Sequence, residues 1–139
     1  MNEDELIKYA LRFIGMPYIY RANGADGFDC ASYVQEILKA FGLLQNPWRD
    51  YWSQAIHDEL FATKKLTNHI KVASVLTFGQ AFHKIEHISI AINSTFMIEC
   101  GGGDSTTLTI EDARKRGAMV RIRPIDNRAD IIQAFDLFR

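Results

Sequence analysis

The chain has little that would hold it together other than a core. Of its 139 residues only two are cysteines, Cys30 and Cys100. One disulfide is arithmetically possible, but a disulfide framework is not indicated. Neither charge is in excess. Lys and Arg number 16, Asp and Glu 17, and the formal net charge is −1. That balance argues against nucleic acid as the main partner, because phosphate binding calls for a basic domain. No apolar run approaches the roughly 18 residues of a membrane span. The acidic start, Met1 to Glu5, is followed by no apolar stretch of signal-peptide length. The expectation is synthesis in the cytoplasm, with any export depending on other machinery. There are no repeats, no low-complexity tract and no linker. The length predicts a single domain over residues 1–139, large enough to bury a core unaided. Its 47% apolar and 24% charged residues are ordinary globular values.

Apolar periodicity places helices first and strands later. Leu6, Ile7, Ala10, Leu11 and Ile14 recur at helical spacing, predicting a helix over Asp4–Phe13. Asn2 with Glu5 fits a capping pattern, and Gly15 and Pro17 end the helix. A glycine-bearing loop, Arg21–Asp29, leads to a second helix, Cys30–Phe41. Val34, Ile37, Leu38 and Phe41 give its buried stripe, and Gly42 is placed to stop it. A third helix is predicted over Tyr51–Phe61. The period then changes. Val72–Phe78, His87–Ile92, Phe96–Cys100 and Val120–Arg123 read as strands, with a short helix near Ile110–Arg116 between the last two. This order predicts an α+β domain with helices packed on a central antiparallel sheet.

Cys30 sits where a loop meets a helix start. Unpaired N–H groups and the helix dipole there favour a thiolate, and the same N–H groups suit the oxyanion of a tetrahedral intermediate. From position alone, Cys30 fits a small buried apolar residue better, as free cysteines often are. His87 opens the strand His-Ile-Ser-Ile-Ala-Ile. By alternation Ile88, Ile90 and Ile92 face one side, and His87, Ser89 and Ala91 the other. The second side is slim enough for a helix to pack on it, which would bring the Cys30 helix to His87. His87 alone also fits a half-solvated strand end. His57 falls on a polar helix face, and His69 and His83 in loops; all three are expected to be solvated. Residues 87–99 form a predicted hairpin turning near Asn93 and Ser94. An odd loop such as Ile92–Ser94 sets Glu99 opposite His87; a two-residue loop sets Cys100 there. Both registers stay open.

Three segments, "GMPYIY", "GADGFDCASYVQEILKAFGLL" and "HISIAINSTFMIECGGG", resemble the NlpC-type cell-wall cysteine peptidases. These are papain-like bacterial and phage enzymes with a Pro-Tyr before a Gly-rich loop, Asp-Cys-Ser-Gly at a helix start, a His-Val-Gly-Ile strand and a polar residue on the next strand. The tail after Cys100 resembles phage and prophage versions. The resemblance implies a papain-like fold with Cys30 as nucleophile, His87 as base and Glu99 as orienting residue. Tyr18 takes the place of the tyrosine beside the nucleophile, and Asp29 that of the acidic residue before it. It implies a peptidoglycan stem peptide as substrate, usually cut between D-γ-glutamate and the diamino acid, and no metal or organic cofactor. Phage-tail or secretion-machinery proteins are the implied delivery partners. The alternatives are a related thiol amidase or acyltransferase, or an inactive wall-binding module of the same fold.

This chain departs from the pattern in three places. The family's Ser-Gly after the cysteine is Ala31-Ser32, which removes a hydroxyl near the nucleophile. The third residue, commonly His, is Glu99, a carboxylate that would favour an imidazolium–thiolate pair. The Gly-Asp at the first core strand is Ala73-Ser74, read as a local turn change. The run Gly101-Gly102-Gly103-Asp104 lacks the lysine of a phosphate loop and is read as keeping the backbone slim beside the site. The basic cluster Arg114, Lys115, Arg116, Arg121, Arg123 and Arg128 fits either attraction of anionic wall peptides or a solvated face. No cluster has zinc-ligand spacing.

Overall fold

A computed structural model describes residues 2–46, 52–63 and 65–138. Helix α1 is Glu3–Leu11, and Asn2 caps it by accepting from the Glu5 N–H. Leu6, Ile7 and Ala10 are buried, but Leu11 and Ile14 stay exposed, so the buried stripe is shorter than the periodicity suggested. Helix α2 is Cys30–Ala40 and α3 is Ser53–Ala62. The expected start of α3 at Tyr51 lies outside the described residues. Strands β1 (Leu66–Thr67), β2 (Val75–Ala81), β3 (Lys84–Ala91) and β4 (Phe96–Gly101) follow, then α4 (Ile110–Arg116), β5 (Met119–Pro124) and β6 (Ile131–Phe135). Among the described residues no helix is long and apolar enough to cross a membrane.

The six strands pair antiparallel in the order β1-β6-β2-β3-β4-β5. Two of them were not expected from the sequence. β1 has two residues, and β6 is a short strand with Gln133 in the middle of its apolar run, too weak a pattern to read alone. β6 nevertheless sits inside the sheet, between β1 and β2, so its pairing comes from the sheet rather than from its own sequence.

The helices cover one face of the sheet. Ile88, Ile90, Ile98 and Val120 share a core with Val34, Ile37 and Leu38 of α2. This corrects the expected packing: the helices take the isoleucine face, because branched side chains bury more apolar area than Ser89 and Ala91. The slimmer face is filled instead by Leu76, Phe78, Met97, Ile125 and Ala134. β2 begins at Val75 rather than Val72. Ala73 stands in left-handed backbone (φ 67°) in a turn closed by Ser74 N–H to the Lys71 carbonyl, a conformation that favours glycine.

His57 is a second correction. It lies on α3 and is fully buried, with Phe82 and Phe135 edge-on around its ring. Its Nδ1 lies 2.9 Å from Thr77 Oγ1, and that hydroxyl also reaches the Gln133 carbonyl. Nε2 is buried and has no hydrogen-bond partner among the described residues. Ser53, Ile56 and Leu60 are buried on α3 as well, and at i, i+3, i+4 and i+7 spacing they share one face with His57, which is therefore the packed face of the helix. His69 and His83 are exposed, as expected. Burial pulls the His57 pKa below the usual 6.5; Asp58 pushes it up and His83 down. Well above pH 6.5 neither the folded nor the unfolded chain holds that proton. Below it the unfolded chain takes one up first, so stability falls as the pH falls. Urea unfolding midpoints between about pH 7 and about pH 5 should therefore drop more for the wild type than for His57→Gln, which cannot titrate.

Candidate active site

Cys30 is the first residue of α2, and its place is fixed by a reciprocal cap. The Asp29 carboxylate accepts from the Ser32 N–H at 2.8 Å, and the Ser32 hydroxyl accepts from the Asp29 N–H at 3.0 Å. The Ala31-Ser32 departure thereby has a structural reading: the serine completes the cap, while Ala31 is buried in the core and does not face the cleft. Asp29 acts through backbone geometry, holding the turn that presents Cys30.

β3 and β4 pair only at Ile90↔Ile98 and Ala91↔Met97. Beyond that point the ladder stops, and a cleft of about 460 Å³ opens along His87, Glu99 and Gly101. Cys30 arrives from the helix face, whereas His87 and Glu99 belong by alternation to the opposite one. The end of the ladder is what lets the two faces share a site. The turn settles the register. Asn93 Oδ1 accepts from the N–H groups of Thr95 and Phe96, both at 2.8 Å, and Ile92 N–H bonds the Phe96 carbonyl. The loop is Asn93–Thr95, odd as in the first alternative but one residue later. Glu99 therefore lies on the His87 face but diagonal to it. Cys100 points the other way. It is fully buried, its thiol donates to the Phe28 carbonyl at 3.2 Å, and burial pushes its pKa up.

His87 Nε2 and Glu99 Oε1 are 2.8 Å apart, with both side chains almost wholly buried. Burial alone would lower the imidazole pKa. Hydrogen bonds to Cys30 and Glu99, and the charges of both, outweigh it and push the value up to about 9. Burial would likewise raise the Glu99 carboxyl, but His87 and Arg121 hold it below its usual range. An ionised carboxylate only accepts hydrogen bonds, so Nε2 carries the proton and Nδ1 is the nitrogen left for the Cys30 thiol. The Phe78 ring lies 5.7 Å from the imidazole, against its side.

Arg121 was not singled out as a site residue. It is the direct ladder partner of Glu99, and its Nε donates to Glu99 Oε2 at 3.1 Å. The only signal in the sequence was the alternation Arg121, Ile122, Arg123 on an edge strand. The basic cluster divides. Arg114, Lys115 and Arg116 lie exposed on α4, where Arg116 pairs with Asp104 at 2.8 Å. Arg121, Arg123 and Arg128 line the cleft. Arg128 is bidentate to Asp130 and covers the Phe78 ring.

The glycine run has a steric role. A Cβ at Gly101 would strike the Glu99 carboxylate, one at Gly102 would press on Arg121, and one at Gly103 would enter the Tyr18 ring. Tyr18 is buried along the same cleft. Burial first, then the charges of Cys30 and Asp29, raise its phenol pKa. Tyr18, Cys30, His87 and Glu99 are thus brought together, and Asp29 supports them from the helix cap. Titration of the ring carbons of labelled His87 by NMR should show a midpoint near 9. Glu99→Gln should lower it by about one unit or more, since the carboxylate charge is lost. An unchanged midpoint would separate Glu99 from the imidazole.

No curated protein is similar enough in sequence to this chain to count as a match. Solved structures do resemble it. An NlpC/P60 family protein from Bacillus cereus superimposes with a TM-score of 0.75 at 19% identity, over 100% of this chain and 41% of that one. The NlpC/p60 domain of the peptidoglycan hydrolase SagA gives 0.66 at 18%, over 98% and 99%. The peptidoglycan hydrolase RipB from Mycobacterium tuberculosis gives 0.64 at 16%, over 97% and 64%. This chain spans about two-fifths of the Bacillus cereus protein, 41% of its length. At these identities the likeness is one of fold. The NlpC/P60 family profile matches residues 15–123, well over half of the chain and including Tyr18, Cys30, His87 and Glu99, and the chain belongs to the NlpC/P60 family.

Proposed function

We propose that the chain is a thiol hydrolase of peptidoglycan stem peptides, with Cys30 as nucleophile, His87 as base and Glu99 as orienting residue. The observation that carries this reading is the buried imidazole held between a carboxylate at 2.8 Å and a thiol that opens a helix, all on one cleft. The family and the peptidoglycan hydrolases among its structural relatives support the substrate class.

The thiol proton passes to His87 Nδ1, and the ionised sulfur attacks the scissile carbonyl. The Cys30 N–H, free of a helical acceptor at the first position of α2, is set to receive the oxyanion. The imidazolium then protonates the leaving amine, and water releases the acyl group from the sulfur. Glu99 keeps the ring in one orientation and favours its charged form throughout. The Arg121, Arg123 and Arg128 wall suits an anionic peptide. The bond proposed is that between D-γ-glutamate and the diamino acid, reached after delivery by phage or secretion machinery.

Purified wall fragments digested with the protein and analysed by mass spectrometry should yield new stem-peptide products, and Cys30→Ala should yield none while keeping its fold, since alanine is the better helix former. Turnover retained in that variant would sink the mechanism. Hydrolysis rates should rank wild type above Glu99→Gln, and that above Glu99→Ala, which leaves the ring without an acceptor. Glu99→Ala as fast as the wild type would remove Glu99 from the site.

A further inference from the structure

Ser53 is the first residue of α3, as Cys30 is of α2. Its hydroxyl lies 3.5 Å from Cys30 Sγ, so two helix starts meet over one sulfur atom. The side chain is buried. The N-cap of α3 is Trp52 rather than Ser53, and among the described residues that helix start has no side-chain cap hydrogen bond. α3 is also firmly tied to the strand that carries His87. The Gln54 carboxamide donates to the Phe82 carbonyl at 3.1 Å and accepts from the Ile85 N–H at 2.8 Å. One turn on, His57 bonds Thr77 of β2. Ser53 is therefore fixed relative to both Cys30 and His87.

We propose that Ser53 is a positioning residue for Cys30, its hydroxyl donating a hydrogen bond to the ionised sulfur and holding it toward His87. This rests on Cys30 being the nucleophile of the hydrolase described above. In the neutral site either atom can donate. Once the thiol proton is on His87, the sulfur has only lone pairs, and the hydroxyl must be the donor. The serine keeps its own proton; no bond to it forms or breaks. A hydrogen bond to a charged acceptor stabilises that form over the neutral one, so the imidazolium–thiolate pair persists to lower pH with Ser53 than without it.

The test is the pH dependence of Cys30 alkylation by iodoacetamide in the full chain, for wild type, Ser53→Ala, Ser53→Val and Ser53→Thr. Cys100 is buried and serves as an internal control by peptide mapping. Loss of the hydroxyl should move the acid limb up by about one pH unit, which is about tenfold slower alkylation at a given acid pH. Thr should keep the wild-type profile. Val and Thr have the same shape, so a packing defect would appear in both and a hydroxyl effect in Val alone. Ala and Val profiles that overlay the wild type overturn the proposal, as does a Thr profile shifted as far as Val. Alkylation needs no peptide. A Ser53 effect with no digestion of wall fragments would refute the substrate and keep Ser53, while an unreactive Cys30 in the wild type would refute both.

Discussion

A carboxylate and an imidazole lie together in the interior of this chain, and neither would be stable there alone. An ionised group taken out of water costs several kcal/mol unless it is paired and hydrogen-bonded. Glu99 meets that condition twice, with His87 on one oxygen and Arg121 on the other. The rest of the site follows from keeping this group buried and in register. The glycines after Cys100 leave room for the carboxylate, the guanidinium and the Tyr18 ring. Arg121 comes from an edge strand whose ladder sets it opposite Glu99. Arg121 also supports the pair: its hydrogen bond and charge help keep Glu99 ionised beside His87.

The thiol reaches this pair because the sheet opens. A fully paired β3–β4 ladder would keep the helix face and the opposite face apart. With pairing confined to the turn end, α2 can deliver Cys30 into the space between the strands. The cap on α2 then sets direction. With Ala31 turned into the core, the serine one position on, Ser32, closes the Asp29 cap. The hydroxyl that does face Cys30 comes from α3 instead, through Ser53. Two helices and two strands, none adjacent to all the others in sequence, converge on a single sulfur atom.

The divergence from the structural relatives fits this division of labour. At 19% identity the Bacillus cereus protein still superimposes over the whole chain. Core positions need volume and patterning rather than particular residues. Ala73 shows how local preference yields to that requirement. It occupies left-handed backbone better suited to glycine, and is held there by the turn into β2 and by nearly complete burial.

Much of this was legible in the sequence because it is local. Helix periodicity located α1 and α2, strand alternation separated His87 from the isoleucine face, and a loop-to-helix junction singled out Cys30. The motif order carried the family. The rest depends on groups distant in the chain. The hairpin itself was readable, but its parity and register were not: the Asn93 side chain closes a three-residue turn, one residue later than the odd alternative. The burial of His57 was decided by Thr77 of β2 and Phe135 of β6, which meet its ring from elsewhere in the chain. β6 was set by neighbours that offered it two open ladders, and Arg121 by strand pairing. A single strand's alternation says which side a residue faces; only the sheet decides what stands opposite it.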